Sequence, residues 1–175
     1  MNTPITIGIS ACLLGKNTRY DGGNLHAPLL VETLNQSATL IPLCPEAECG
    51  LGVPREPMRL EGDPENPRLM TVTTRSDLTD RMQDWCTRRL DTLSGQPLYG
   101  MILKARSPSC GKRVAVHGAE GRELAYSPGL FAGMVMERFP ALPVADEEEL
   151  RDSSLLADFI ARITLKQQSK PENQR

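Results

Sequence analysis

A chain of 175 residues, 39% hydrophobic and 24% charged, has the size and balance of one soluble domain with its own core. The formal net charge of -2 gives no strong hold on nucleic acid, and 4% aromatic residues are too few for a base-stacking platform. No apolar run approaches the ~18 residues of a membrane span.

Ile9-Ser10-Ala11-Cys12 has the form of a lipoprotein cleavage site. The first basic residue, however, is Lys16, after the cysteine, and Asn2, Thr3 and Pro4 interrupt the apolar stretch before it. A signal peptide needs a charged start and a longer apolar middle, so the expected location is cytoplasmic. In a reducing compartment, five cysteines point to metal or reactive thiols rather than disulfides.

Ile5 to Ile9 reads as a central strand and delivers Cys12. Arg19-Tyr20-Asp21-Gly22-Gly23 follows as a turn carrying a cation, a phenol and a carboxylate. Taken alone, that turn reads as a surface Arg–Asp pair. Pro28 to Gln36 is a short helix with Pro28 at its first position. Thr39 to Leu43 is a second strand, ending in Cys44-Pro45-Glu46. Glu48 to Pro57 is an ordered Gly/Pro loop that contains Cys49, and Glu61 to Pro67 reads as exposed and mobile.

Arg68 to Thr74 is read as a short strand. The helix after it starts at Ser76 as N-cap, carries Leu78, Met82, Cys86, Leu90 and Leu93 at helical spacing, and stops at Gly95. Cys86 therefore belongs to a buried face, as a small hydrophobe. Tyr99 to Leu103 is a buried strand that ends in Ser107-Pro108-Ser109-Cys110-Gly111. A strand from Arg113 to His117 comes next. A helix starting at Ser127-Pro128 turns Leu130, Phe131, Met134, Val135 and Phe139 inward. Leu142 to Val144 is a last strand, Glu147 to Gln168 a helix and Lys170 to Arg175 a frayed tail. Strand and helix alternate throughout. The expected fold is α/β: one domain over residues 1–169, with an open, mostly parallel, Rossmann-like sheet and helices on both faces.

Three strands each ending in a cysteine bring Cys12, Cys44 and Cys110 to one edge of such a sheet, where α/β folds bind ligands. The three are too far apart in sequence for a zinc ribbon or a ferredoxin run. A cubane iron–sulfur cluster takes four thiolates; with three, one iron stays open as a thiophilic Lewis acid, which suits substrate chemistry. Cys49 can equally be a fourth thiolate that closes the cluster or a packing residue. Glu46, Ser107, Ser109, Asp21, Lys104 and Arg106 stand on strand ends or nearby loops as proton-transfer or binding candidates. Two histidines, neither followed by the glutamate of a His-x-Glu element, give little support to a His-dependent hydrolase or a zinc deaminase. A non-catalytic iron–sulfur or zinc protein, with Cys49 as fourth ligand, remains the rival class.

Ser10-Ala11-Cys12-Leu13-Leu14-Gly15, Arg19-Tyr20-Asp21-Gly22, Cys44-Pro45-Glu46, Gly50-Leu51 with Pro54-Arg55, and Ser107-Pro108-Ser109-Cys110-Gly111 together resemble the motif set of the thiouracil desulfidase family. The resemblance runs in order over nearly the whole chain and is to the stand-alone form. It implies a [4Fe–4S] cluster on Cys12, Cys44 and Cys110 with one open iron. The implied activity is non-redox removal of sulfur from thiouracil-type bases, nucleosides or nucleotides. A small thiolated pyrimidine suits the stand-alone form better than tRNA. By the same resemblance Glu46 is general base, Ser107 or Ser109 bonds the substrate or relays a proton, and Asp21 orients the ring. Arg19, Lys104 and Arg55 are anion contacts for a nucleotide substrate. In the relatives the position of Cys49 is usually not cysteine.

Overall fold

Short β-rich runs punctuated by Gly and Pro build two four-stranded sheets in the computed structural model, which describes residues 4–118 and 120–169. The tail expected from Lys170 lies outside the described residues. The first sheet is wholly parallel, in the order β2 (Ala38–Leu43), β1 (Ile5–Ser10), β5 (Leu98–Leu103), β8 (Val144–Asp146). All six residues of β1 and of β5 are buried, as expected for central strands covered on both faces.

Helix α1 (Pro28–Asn35) and helix α4 (Ser153–Gln168) cover one face. Leu30, Leu34, Phe159 and Ile163 pack there against Ile5, Ile7, Ile9 and Ile102. Helix α2 (Thr79–Ser94) and helix α3 (Leu130–Arg138) cover the other face, where Met82, Cys86, Leu90, Phe131 and Val135 join Met101 and Leu103 in the larger core. The Trp85 and Phe131 rings meet across the two helices at 5.6 Å between centroids. The α/β reading with a mostly parallel sheet and helices on both faces therefore holds.

A second sheet takes in the strands expected at Arg68 to Thr74 and Arg113 to His117 and adds two that were not expected. Its order is β4 (Asn66–Thr71), β3 (Met58–Asp63), β6 (Val114–His117), β7 (Glu123–Ser127). β3 runs parallel to β6, and the outer pairs are antiparallel. Leu60, Leu69, Val114 and Val116 feed the larger core from this sheet. The acidic stretch read as a mobile loop is the β3–β4 hairpin. Glu61 is only 7% exposed there, since Arg59 and Arg75 neutralise it at 2.6 and 2.5 Å.

Three helix starts differ from their sequence signals. Ser76 does not cap α2; its N–H donates to Thr71 Oγ1 at 2.7 Å, and Asp77 receives the N–H of Thr79 instead. Ser127-Pro128 does not open α3, because Ser127 ends β7 and the first helical N–H groups are taken by loop carbonyls. The helix read from Glu147 is interrupted at Asp152, whose backbone is extended (φ -75°, ψ 120°) and whose carboxylate caps the N–H groups of Ser154 and Leu155.

Candidate active site

The carboxyl ends of β1, β2 and β5 lie on one edge, with Ser10 beside Leu43 and Ile9 beside Ile102. From β1 the chain passes to β2 on one side, and β5 lies on the other. The crevice between β1 and β5 is thus the switch point where open α/β sheets bind ligands. A hydrogen bond from Lys104 N to Ser10 Oγ (2.9 Å) bridges the two strand ends.

Each strand end hands a cysteine to this crevice. Cys12 sits in a single tight helical turn, Ala11–Leu14, that ends at Gly15 in the left-handed region (φ 83°). Cys44 directly follows β2, and its N–H donates to Glu48 Oε1 at 2.9 Å. Cys110 ends a turn organised by Ser107, whose Oγ accepts the N–H groups of Ser109 (3.2 Å) and Cys110 (3.1 Å). The start of α3 presses on that turn. Leu130 N–H donates to Pro108 O, and the N–H groups of Phe131 and Ala132 donate to Ser109 O. A Cβ on Gly129 would lie 2.6 Å from the carbonyl carbon of Ser109, so only glycine permits this approach.

Cys12, Cys44 and Cys110 line one cavity of about 410 Å³, together with Glu46, Arg55, Lys104, Ser107 and Arg19. Burial pushes the Cys12 thiol up to about 11, and the neighbouring Cys44 adds to this while Lys104 opposes it. Cys110 is pushed well above the usual thiol range by burial, then by Glu46, Cys44 and Cys12, against a hydrogen bond with Ser10. Cys12 and Cys110, each raised in part by Cys44, share one cavity with it, and three thiolates there call for a cationic group between them. Among the described residues no three His, Cys, Asp or Glu side chains close on a single ion position. Three cysteine thiolates on one cavity wall are a soft donor set, which suits thiophilic iron.

Glu46 is buried (8% exposed) and held from two sides. Ser109 Oγ donates to Oε1 at 2.9 Å, while Arg55 Nε (2.8 Å) and Nη2 (2.6 Å) both reach Oε2. Ser109 is itself completely buried and does not line the cavity; Ser107 does. The two serines therefore have different surroundings, one bonded to Glu46 and the other at the cavity wall.

Asp21 does not join this group. It is exposed and outside the cavity wall, and its oxygens accept from Arg19 Nε and Nη2 (3.3 and 3.2 Å) and from Gly23 N–H. The Arg19 hydrogen bonds hold its carboxyl below the usual range. Arg19 lines the cavity, as does Lys104, although Lys104 Nζ is ion-paired with Glu147 Oε1 at 2.6 Å. Arg55, read as a substrate contact, turns instead to Glu46. Glu147 was missed: its carboxylate also accepts the N–H of Ala105 at 2.6 Å, and no local pattern links residues 42 apart.

The two remaining cysteines stand elsewhere. Cys49 does not line the cavity; its thiol donates to Glu46 O at 3.4 Å and packs against the larger core. Cys86 is completely buried on α2. His117 lies near Leu60 O, and neither histidine lines the thiol cavity.

A chain with this arrangement has relatives. It is 26% identical over 149 residues to the uncharacterized protein YbbK of Bacillus subtilis (strain 168), covering 82% of this chain and 97% of that protein. Among solved structures it is similar to the [4Fe-4S]-dependent thiouracil desulfidase TudS, with a TM-score of 0.69 and 28% identity, over 88% of this chain and 98% of that one. The profile of the 2-thiouracil desulfurase family matches residues 7–147, which span all three cavity cysteines and Glu46. The chain belongs to the 2-thiouracil desulfurase family.

Proposed function

We propose that this protein is a thiouracil desulfidase that hydrolyses the thiocarbonyl of a small thiolated pyrimidine without net redox change. The observation that carries this reading is the convergence of three thiols and one held carboxylate on a single cavity. The family match and the likeness to TudS support it. Cys12, Cys44 and Cys110 would hold a [4Fe–4S] cluster. Bound by three protein thiolates, such a cluster supplies an iron with a free position, a Lewis acid with affinity for the thiocarbonyl sulfur.

The chain's own residues supply the rest. Overall, water and a C=S group become a C=O group and hydrogen sulfide; the water oxygen stays on carbon and both its protons leave with sulfur. Glu46 takes a proton from the water and returns it to the departing sulfur. Arg55 occupies Oε2, so Oε1 is the oxygen that keeps a lone pair for that proton beside its bond from Ser109. Ser107 already accepts two N–H groups through its lone pairs, so its hydroxyl acts toward the substrate as a donor. Arg19 and Lys104 supply positive charge at the wall for an anionic substrate or for the sulfide that leaves.

The test is anaerobic reconstitution, followed by iron and labile-sulfide analysis and sulfide release from thiolated bases, nucleosides, nucleotides and tRNA. Cys12→Ser, Cys44→Ser and Cys110→Ser should each lose most of the iron, because the soft donor is gone. Cys49→Ala and Cys86→Ser should keep it. Glu46→Gln should retain full iron and turn over about 10²–10⁴-fold more slowly. Zinc without labile sulfide, or loss of iron in Cys49→Ala but not in Cys110→Ser, overturns the proposal.

A further inference from the structure

Arg55 lines the cavity wall, and its three side-chain nitrogens are all engaged by the protein. Nε and Nη2 both reach Glu46 Oε2, at 2.8 and 2.6 Å. Nη2 also donates to Thr18 O at 2.9 Å, and Nη1 donates to Gly52 O at 2.9 Å. Its backbone N–H donates to Tyr20 O at 2.8 Å. The side chains of Arg55 and Glu46 are only 7% and 11% exposed. A guanidinium fixed from three sides has no fork left for a substrate phosphate or carboxylate. On the same wall Arg19 gives Nε and Nη2 to Asp21, and Lys104 Nζ pairs with Glu147 Oε1.

The geometry points to Arg55 as a positioning residue that acts through Glu46. This inference rests on the proposed role of Glu46 as the base. The guanidinium places both of its bonds on one carboxylate oxygen and none on the other. That asymmetry fixes the carboxyl plane and leaves Oε1 to Ser109 and the reacting water. The same residue ties the Glu46 loop to the loop that follows Cys12, its side chain donating to Thr18 O and its backbone N–H to Tyr20 O. The base is thereby held in register with the edge of β1, from which the first thiol projects. Arg55 touches neither substrate nor the transferred proton; it determines which oxygen receives that proton and where that oxygen stands.

A double-mutant cycle decides this, on protein reconstituted anaerobically. The variants are Arg55→Gln, Arg55→Lys, Glu46→Gln and the double Glu46→Gln/Arg55→Gln. Iron, labile sulfide, kcat and KM for a thiouracil are measured on each. Arg55→Gln should keep iron and sulfide, hold KM within about twofold and lower kcat by up to about 10²-fold, the cost of a misplaced reacting group. Arg55→Lys should recover part of the rate. The double variant should be no slower than Glu46→Gln alone, because a residue that acts only through Glu46 has nothing left to position. Multiplying losses in the double variant overturn the inference. A raised KM with unchanged kcat also overturns it, since that marks a direct substrate contact. Iron loss in both Arg55→Gln and Arg55→Lys makes Arg55 a residue of cluster retention and likewise overturns it. A wild-type rate in Glu46→Gln would instead remove Glu46 as the base, a failure of the proposed function that the cycle reports separately.

Discussion

Two serines two positions apart have roles set by which atoms are already engaged. Ser109 is completely buried and spends its proton on Glu46 Oε1 at 2.9 Å. Ser107 stands at the cavity wall and spends its lone pairs on the turn that carries Cys110. Ser109→Ala leaves a buried carboxylate oxygen short of one charge-assisted hydrogen bond, an interaction worth about 1.5–3 kcal/mol. Its expected effect is a lower kcat with iron retained. Ser107→Ala removes the acceptor of two backbone N–H groups beside Cys110, the proposed ligand, so it should lower iron retention as well as rate. Iron content and sulfide release on the same samples check the contrast; equal effects of the two substitutions would refute these separate assignments. Cys49 shows the same logic in reverse. Its thiol is five residues past Cys44, yet it is turned to the larger core rather than the cavity, because Arg81 holds Cys49 O and Gly50 O against α2 at 2.8 and 2.7 Å.

At the scale of elements, the site depends on α3 being seated directly on the Ser-Pro-Ser-Cys turn. The helix has no side-chain cap; the carbonyls of Pro108 and Ser109 satisfy its first N–H groups. The contact is backbone on backbone, and Gly129 is the hinge point of it. Gly129→Ala would place a Cβ 2.6–2.8 Å from the carbonyl atoms of Ser109 and Pro108, which cannot move aside as a flexible side chain can. We predict a loss of about 1–3 kcal/mol of stability from this overpacking, together with a weaker hold on iron as the Cys110 turn shifts. Thermal unfolding and iron retention against a chelator measure both. Unchanged values would show that the helix and the turn are not coupled.

For the whole molecule, the second sheet brings a stability term with a definite pH signature. Glu61 on β3 is held down to about 2 by its hydrogen bonds to Arg75 and then to Arg59, although burial pushes the other way. A carboxylate whose folded value lies below its unfolded value stabilises the fold above the unfolded value. That stability is lost as pH falls through the folded value. The window therefore runs from about pH 4.5 down to about pH 2. Because Arg75 is 45% exposed, solvent weakens the pair, and the expected contribution is on the order of 1–2 kcal/mol. Glu61→Gln should unfold at a lower temperature than wild type at pH 7, with the two curves converging as pH falls through that window. A gap that stays constant with pH would assign the stability to packing rather than to the ion pair.

The strand-then-cysteine rhythm at Ile5, Thr39 and Tyr99 was legible in the sequence because each signal is local: a short apolar run, then a turn. So was the buried face of α2, where Met82, Cys86, Leu90 and Leu93 recur at the helical period. The order of the linked motifs carried the family, because order is a property of the chain itself. Two strands of the second sheet, from Arg68 and Arg113, were legible, but β3, β7 and the assembly of a separate sheet were not, since these depend on pairing across the chain. Nor was the start of α3, where carbonyls of the Ser-Pro-Ser-Cys turn supplied what a local cap was expected to supply. The site divides in the same way. Cys12, Cys44, Cys110 and Glu46 could be named from the sequence. Only tertiary structure decided that Cys49 stays out of the cavity, that Ser109 rather than Ser107 bonds Glu46, and that Arg55 bonds the same carboxylate. Asp21 is held locally by Arg19, as its turn suggested, but the Arg55 and Ser109 bonds to Glu46 join residues 9 and 63 positions apart, which packing creates and no local pattern encodes.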